Sequence, residues 1–106
     1  MCNMDAWLNA VSTYNLESVL AQYARDAIVL PTVVSRVLQT PDERHAYFKT
    51  FLHTLESEGS VPSLIWHTRV NPDVHVGLYR FGRILARFTF VMRDGLIVHH
   101  HSSSVA

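Results

Sequence analysis

Along the chain the spacing of apolar positions changes once, from the three-to-four period of helices to the two-residue period of strands. Over residues 5–14, Trp7, Leu8, Val11 and Tyr14 recur at helical spacing behind Asp5, which reads as a cap. Asn15 reads as a second cap. After it Leu16, Val19, Leu20 and Tyr23 fall at i, i+3, i+4 and i+7, with Glu17 in the first turn where the helix dipole favours an acid. Two helices, or one broken helix, therefore fill the first quarter. Residues 26–31 form a short apolar run stopped by Pro31, which reads as the end of a strand, and a polar connection follows over residues 32–39. The sharpest local signal is Thr40-Pro41-Asp42-Glu43, a capping threonine with proline at the first helical position and glutamate at the third. The helix it opens carries Tyr47, Phe48, Phe51, Leu52 and Leu55 on one face and ends at Gly59.

From there the pattern alternates. Residues 63–70, 74–81, 84–92 and 96–103 are four runs of strand length, separated by the turn-forming pairs Asn71-Pro72, Gly82-Arg83 and Asp94-Gly95. Helices first and an antiparallel meander after predict an α+β fold with the helices on one face of the sheet. A four-stranded sheet curling around a helix leaves an apolar concave face with one open mouth, the expected place for a ligand. At 106 residues the chain has room for one core, so residues 1–106 read as one domain.

Composition narrows the partners. Hydrophobic residues make up 48% and charged residues 17%, too little charge for a disordered tail or a nucleic-acid arm. With a formal net charge of zero the chain has no basic footprint, and no nucleic acid is expected as partner. Little net charge also means little repulsion between copies, which suits a face buried in an oligomer. Cys2 is the one cysteine, so neither an intrachain disulfide nor a cysteine-based metal site is expected. The start lacks the pattern of a secretory signal, and no apolar run reaches the ~18 residues of a membrane span. A cytoplasmic protein without membrane contact is the expectation.

The residues that could carry chemistry gather at the end. Within His99-His100-His101-Ser102-Ser103, alternation puts His99, His101 and Ser103 on one face of a strand and His100 and Ser102 on the other. The first set predicts a polar pocket wall; a solvated sheet face is the plainer alternative. Imidazoles two apart on a strand can bind zinc, and His53, His67 or His75 could add a ligand. The run has no carboxylate beside it and no paired cysteine, so no metal is expected. Tyr47, on the buried helix face, needs a partner for its hydroxyl. Arg87 shares a face with Thr89, opposite Ala86, Phe88 and Phe90, and would need an anion if turned inward. Spacing gives no Ser-His pair and no paired carboxylates.

Five strings occur in order: Ala27-Ile-Val-Leu-Pro-Thr32, Arg44-His-Ala-Tyr-Phe48, Gly77-Leu-Tyr-Arg-Phe81, Ala86-Arg-Phe-Thr-Phe-Val91 and Ile97-Val-His-His-His-Ser-Ser103. From Trp7 onward the chain resembles the bacterial and algal proteins related to the association domain of calcium/calmodulin-dependent kinase II, within the SnoaL-like and ketosteroid-isomerase-like superfamily. Its His-His-His-Ser-Ser ending resembles the iota class of carbonic anhydrase. The resemblance implies a cone-shaped α+β barrel, usually a homodimer, with the sheet wrapped around the long helix. It implies a pocket that works without a metal or other cofactor, with Thr32, Tyr47, His101 and Ser103 at catalytic positions. Arg87 falls where a pocket arginine is expected. The chain departs from the pattern at Glu56-Ser-Glu-Gly-Ser-Val-Pro62, in a short hairpin between Phe81 and Ala86, in lacking a tryptophan before Leu96, and at Ser104-Val105-Ala106.

The activity implied is reversible hydration of CO₂ to bicarbonate. Without a metal to lower the pKa of water from about 15.7 to about 7, hydroxyls must hold the water and a base must take its proton. On this expectation Thr32, Tyr47 and Ser103 cradle the oxygens, His101 accepts the proton, His99 relays it, and Arg87 stabilises the bicarbonate charge. The alternatives are a non-catalytic oligomerisation or small-ligand-binding module of the association-domain type, and an enzyme acting on a polyketide or steroid. The last wants a carboxylate base in an apolar pocket, which the sequence does not offer.

Overall fold

A computed structural model describes residues 4–32 and 34–105; Cys2 lies outside them. Two short helices open the chain, α1 (Met4–Ser12) and α2 (Leu16–Leu20). Asn15 caps α2 by accepting from the Ser18 amide, as its sequence position predicts. Tyr23, expected on this helix, instead begins strand β1 (Tyr23–Leu30). Its helical spacing is accidental: α2 ends after five residues, and the aromatic ring belongs to the sheet.

The long helix α3 (Pro41–Glu58) starts and stops where the sequence says. Thr40 accepts from the Glu43 amide at 3.2 Å, Glu43 accepts from the Thr40 amide at 3.0 Å, and Gly59 closes the helix at φ 66°. It buries Phe48, Leu52 and Leu55. Four strands follow: β2 (Pro62–Asn71), β3 (Val74–Phe81), β4 (Ile84–Arg93) and β5 (Leu96–Ser104). They pair antiparallel in sequence order, as the meander predicts. The expected four-strand sheet gains a fifth member, because β1 pairs parallel with β5 and gives the order β1-β5-β4-β3-β2. The curved sheet wraps the helices, and this is an α+β cone. One core fills the concave side, with Trp7, Val11 and Phe48 from the helices against Tyr79, Phe88 and Phe90 from the sheet. No helix among the described residues is long and apolar enough to cross a membrane.

Two irregularities position the site. In β5 one extra residue, Val98, separates the pair Met92–Ile97 from the pair Val91–His99, a β-bulge just past the turn. In β1 the register slips between Tyr23 and Ile28, which frees backbone carbonyls inside the core. Arg44 of α3, only 4% exposed, answers them. Its guanidinium donates to the carbonyls of Ala24 (3.0 Å), Arg25 (2.9 Å) and Ala27 (2.9 Å).

Candidate active site

Between α3 and the concave sheet lies a cavity of about 30 Å³. Val29, Phe48, Phe51, Phe81 and Ile84 make its apolar walls, while Thr32, Tyr47, Tyr79, His100 and Ser102 bring polar atoms to it. The volume suits one or two waters or a molecule of three or four heavy atoms. Tyr47, Phe51, Phe81 and Ile84 also line a wider groove of about 280 Å³ at the surface.

The polar atoms form one chain of contacts through the core. The Trp7 indole Nε1–H of α1 donates to the Tyr23 hydroxyl at 3.0 Å. That hydroxyl is hydrogen-bonded to His100 Nδ1 at 2.7 Å, and His100 Nε2 is 3.1 Å from the Tyr79 hydroxyl. Tyr79 donates to Ser102 Oγ at 2.9 Å, and Ser102 Oγ is hydrogen-bonded to Thr32 Oγ1. The first five members are 1–6% exposed; Thr32 is half-buried. The rings are also packed: Trp7 stacks on Tyr79 at 5.7 Å, and Phe90 meets His100 edge-on at 4.3 Å.

Burial keeps this chain neutral. Desolvation, helped by the neighbouring His99 and His101, pushes His100 down to about 3. It pushes Tyr47 up to about 12, and raises Tyr23 and Tyr79 above the ordinary tyrosine value. At neutral pH the pocket therefore holds hydroxyls and an uncharged imidazole whose two nitrogens are both engaged.

The histidine run thus faces the opposite way from the expectation. His100 and Ser102 point into the core, whereas His99, His101 and Ser103 lie on the outer face, with His101 exposed and His99 and Ser103 half-buried. The Val98 bulge is the cause. An unbroken two-residue hairpin at Asp94-Gly95 would set His99 opposite Phe90 and His101 opposite Phe88, on the aromatic face. With one residue inserted, Phe90 pairs with His100 and Phe88 with Ser102, and the side chains change sides. Arg87 pairs with Ser103 and Leu78 on the same outer face and is exposed, so it cannot reach a pocket anion. Thr32 and Tyr47 do line the cavity; the Tyr47 hydroxyl has no protein hydrogen bond among the described residues. His53 is exposed on α3, and His67 and His75 are hydrogen-bonded to each other on β2 and β3. No group of three or more His, Cys, Asp or Glu among the described residues could hold a metal ion.

Sequence reasoning missed Trp7, Tyr23 and Tyr79. Tyr79 alternates with Phe81 on β3, which places it on the aromatic face; that signal was available. Nothing local marked Tyr23, whose place depends on the parallel pairing of β1 with β5.

No protein-family model and no curated protein matches the sequence. Solved structures do. A putative calcium/calmodulin dependent protein kinase II association domain from Xanthomonas campestris is 31% identical, with 95% of this chain and 81% of that one covered at a TM-score of 0.76. A SnoaL-like protein of unknown function from Burkholderia thailandensis superposes at a TM-score of 0.81 with 18% identity, covering 96% and 90%. A putative polyketide cyclase from Sinorhizobium meliloti reaches 0.72 with 15% identity, covering 92% and 90%. The last two share the fold.

Proposed function

The chain belongs to the calcium/calmodulin-dependent kinase II association-domain family, and from that premise we propose that its pocket hydrates CO₂ to bicarbonate with its own hydroxyls. The observation that carries this is the match between a 30 Å³ cavity and a neutral hydroxyl chain ending in it at Thr32. A cavity that small fits CO₂ and water and excludes a polycyclic substrate from the polar groups. Apolar walls hold the uncharged CO₂. As the water oxygen bonds to carbon, one C=O electron pair moves to oxygen, which becomes the oxyanion. On this reading the Thr32 and Tyr47 hydroxyls donate to that oxygen. With His100 held neutral and both its nitrogens engaged, the base in this step is a second water, which takes the proton as the C–O bond forms and passes it to solvent at the mouth. The proton-accepting role expected of His101 falls away with its place on the outer face. Stopped-flow CO₂ hydration by the purified protein tests the proposal. Thr32→Val is expected to lower the rate about 10²-fold, as removal of an oxyanion donor does; a wild-type protein no faster than buffer ends it.

A second role, association of two copies, is favoured by the outer sheet face, where Trp66 is 51% exposed beside Val76 and Leu78.

A further inference from the structure

We infer that Tyr23, oriented by the Trp7 indole, is a positioning residue that locks His100 in its Nε2–H tautomer and so makes the open end of the hydroxyl chain a hydrogen-bond donor. This deepens the reading of the pocket as a site for a small oxygen-bearing substrate and rests on it. Trp7 closes the blind end of the chain. An indole N–H can only donate, so the Tyr23 oxygen accepts from Trp7. The single Tyr23 hydrogen then goes to its one other partner among the described residues, His100 Nδ1. A neutral imidazole whose Nδ1 accepts carries its hydrogen on Nε2. The other side gives the same answer independently. Tyr79 spends its one hydrogen on Ser102 Oγ, so its contact with His100 Nε2 is a hydrogen bond only if Nε2 is the donor.

Six groups, from Trp7 to Thr32, each bring one hydrogen to the chain, and five bonds join them. One hydrogen is left over. Because the polarity runs outward from Trp7, the surplus lies at the mouth, on Thr32 or Ser102, facing the cavity. Reversing the chain would bury an unmatched hydroxyl hydrogen on Tyr23 beside Trp7, where no acceptor stands among the described residues, and buried donors without partners are costly. The site therefore favours ligands that offer lone pairs, such as a carboxylate, bicarbonate or the oxygens of CO₂, over ligands that offer only N–H groups.

The test is a two-bond ¹H–¹⁵N spectrum of histidine-labelled protein, with the His100 ring identified by the signals lost in His100→Gln. Wild type is expected to show a protonated Nε2 and a bare Nδ1. In Tyr23→Phe nothing donates to Nδ1, so the segment from His100 through Tyr79 and Ser102 to Thr32 can run in either direction, and a mixture of tautomers is expected. Formate and methylammonium, similar in size and opposite in hydrogen bonding, are then titrated and followed at the Thr32 and Ser102 amides. Formate is expected to bind wild type and to bind Tyr23→Phe about tenfold more weakly, the factor that goes with weakening one charge-assisted hydrogen bond. An Nδ1–H wild-type ring, methylammonium bound as well as formate, or an unshifted tautomer in Tyr23→Phe would each overturn the inference. The wild-type spectrum decides the tautomer even if the variant does not fold. Formate binding and an Nε2–H ring without CO₂ hydration would sink the proposed reaction and leave this inference standing.

Discussion

At the scale of single residues, the site turns on which of two alternating sets faces inward, and one inserted residue decides it. Alternation divided the histidine run correctly into two sets, but alternation alone has no preferred side. The side is set by register against β4, and the register is set by the Val98 bulge, which no local composition announces. Thr32 and Tyr47, which the resemblance implied as pocket residues, do line the cavity, because neither depends on that register. The buried ring that results has a measurable signature. His100 is held near 3 in the folded chain and has the ordinary value near 6.5 when unfolded. Between those values the unfolded chain binds a proton that the folded one refuses, so stability falls as the pH drops from about 6.5 towards 3. The slope is up to about 1.4 kcal/mol per pH unit, and the contribution is constant above that window. Urea unfolding across this range should show the slope in wild type and a shallower one in His100→Gln. Equal slopes would mean that His100 titrates in the fold.

Elements explain why the pocket has a floor. The strands of the meander, the capped helix α3 and the break between α1 and α2 were legible because each is marked locally, by alternation, a capping box and Asn15. The parallel docking of β1 on β5 was not, since a strand that pairs with one some seventy residues later leaves no local trace. Its register slip survives because Arg44 takes up three carbonyls there. Arg44→Met should therefore cost about 3 kcal/mol or more, well beyond a surface change, because it leaves buried acceptors unpaired. Chemical denaturation measures this, and a loss under about 1 kcal/mol would mean that water or a shifted backbone satisfies those groups. At the other side of the sheet, Gly77 is a glycine for want of space. A Cβ there would run into the Trp66 carbonyl and lie 2.7 Å from Phe88 Cζ. Gly77→Ala must part β2 from β3 or displace a ring against Tyr79, and about 2 kcal/mol of destabilisation is expected.

For the molecule as a whole, the concave side holds the cavity and its hydroxyl chain, and the convex side holds four of the six residues first assigned to a pocket. His99, His101, Ser103 and Arg87 share the outer face with Val74, Val76, Leu78, Val91 and Trp66. Such a mixture of apolar and polar side chains, none paired with a carboxylate among the described residues, suits the proposed pairing of two copies. With zero net charge, nothing long-range keeps copies apart. A stable pair needs about 800 Å² from each copy, which a five-stranded face can offer. Light scattering on the purified chain is expected to give twice the monomer mass. Leu78→Asp puts a charge on the outer face next to Trp66 and Arg87, on the far side of the sheet from the cavity. It should return the protein to a monomer with its strands intact by circular dichroism, and with CO₂ hydration unchanged if each pocket works alone. A monomeric wild type would free the outer face of this role. A variant that is monomeric and inactive would tie the pocket to the pairing, since no outer-face residue reaches the hydroxyl chain directly.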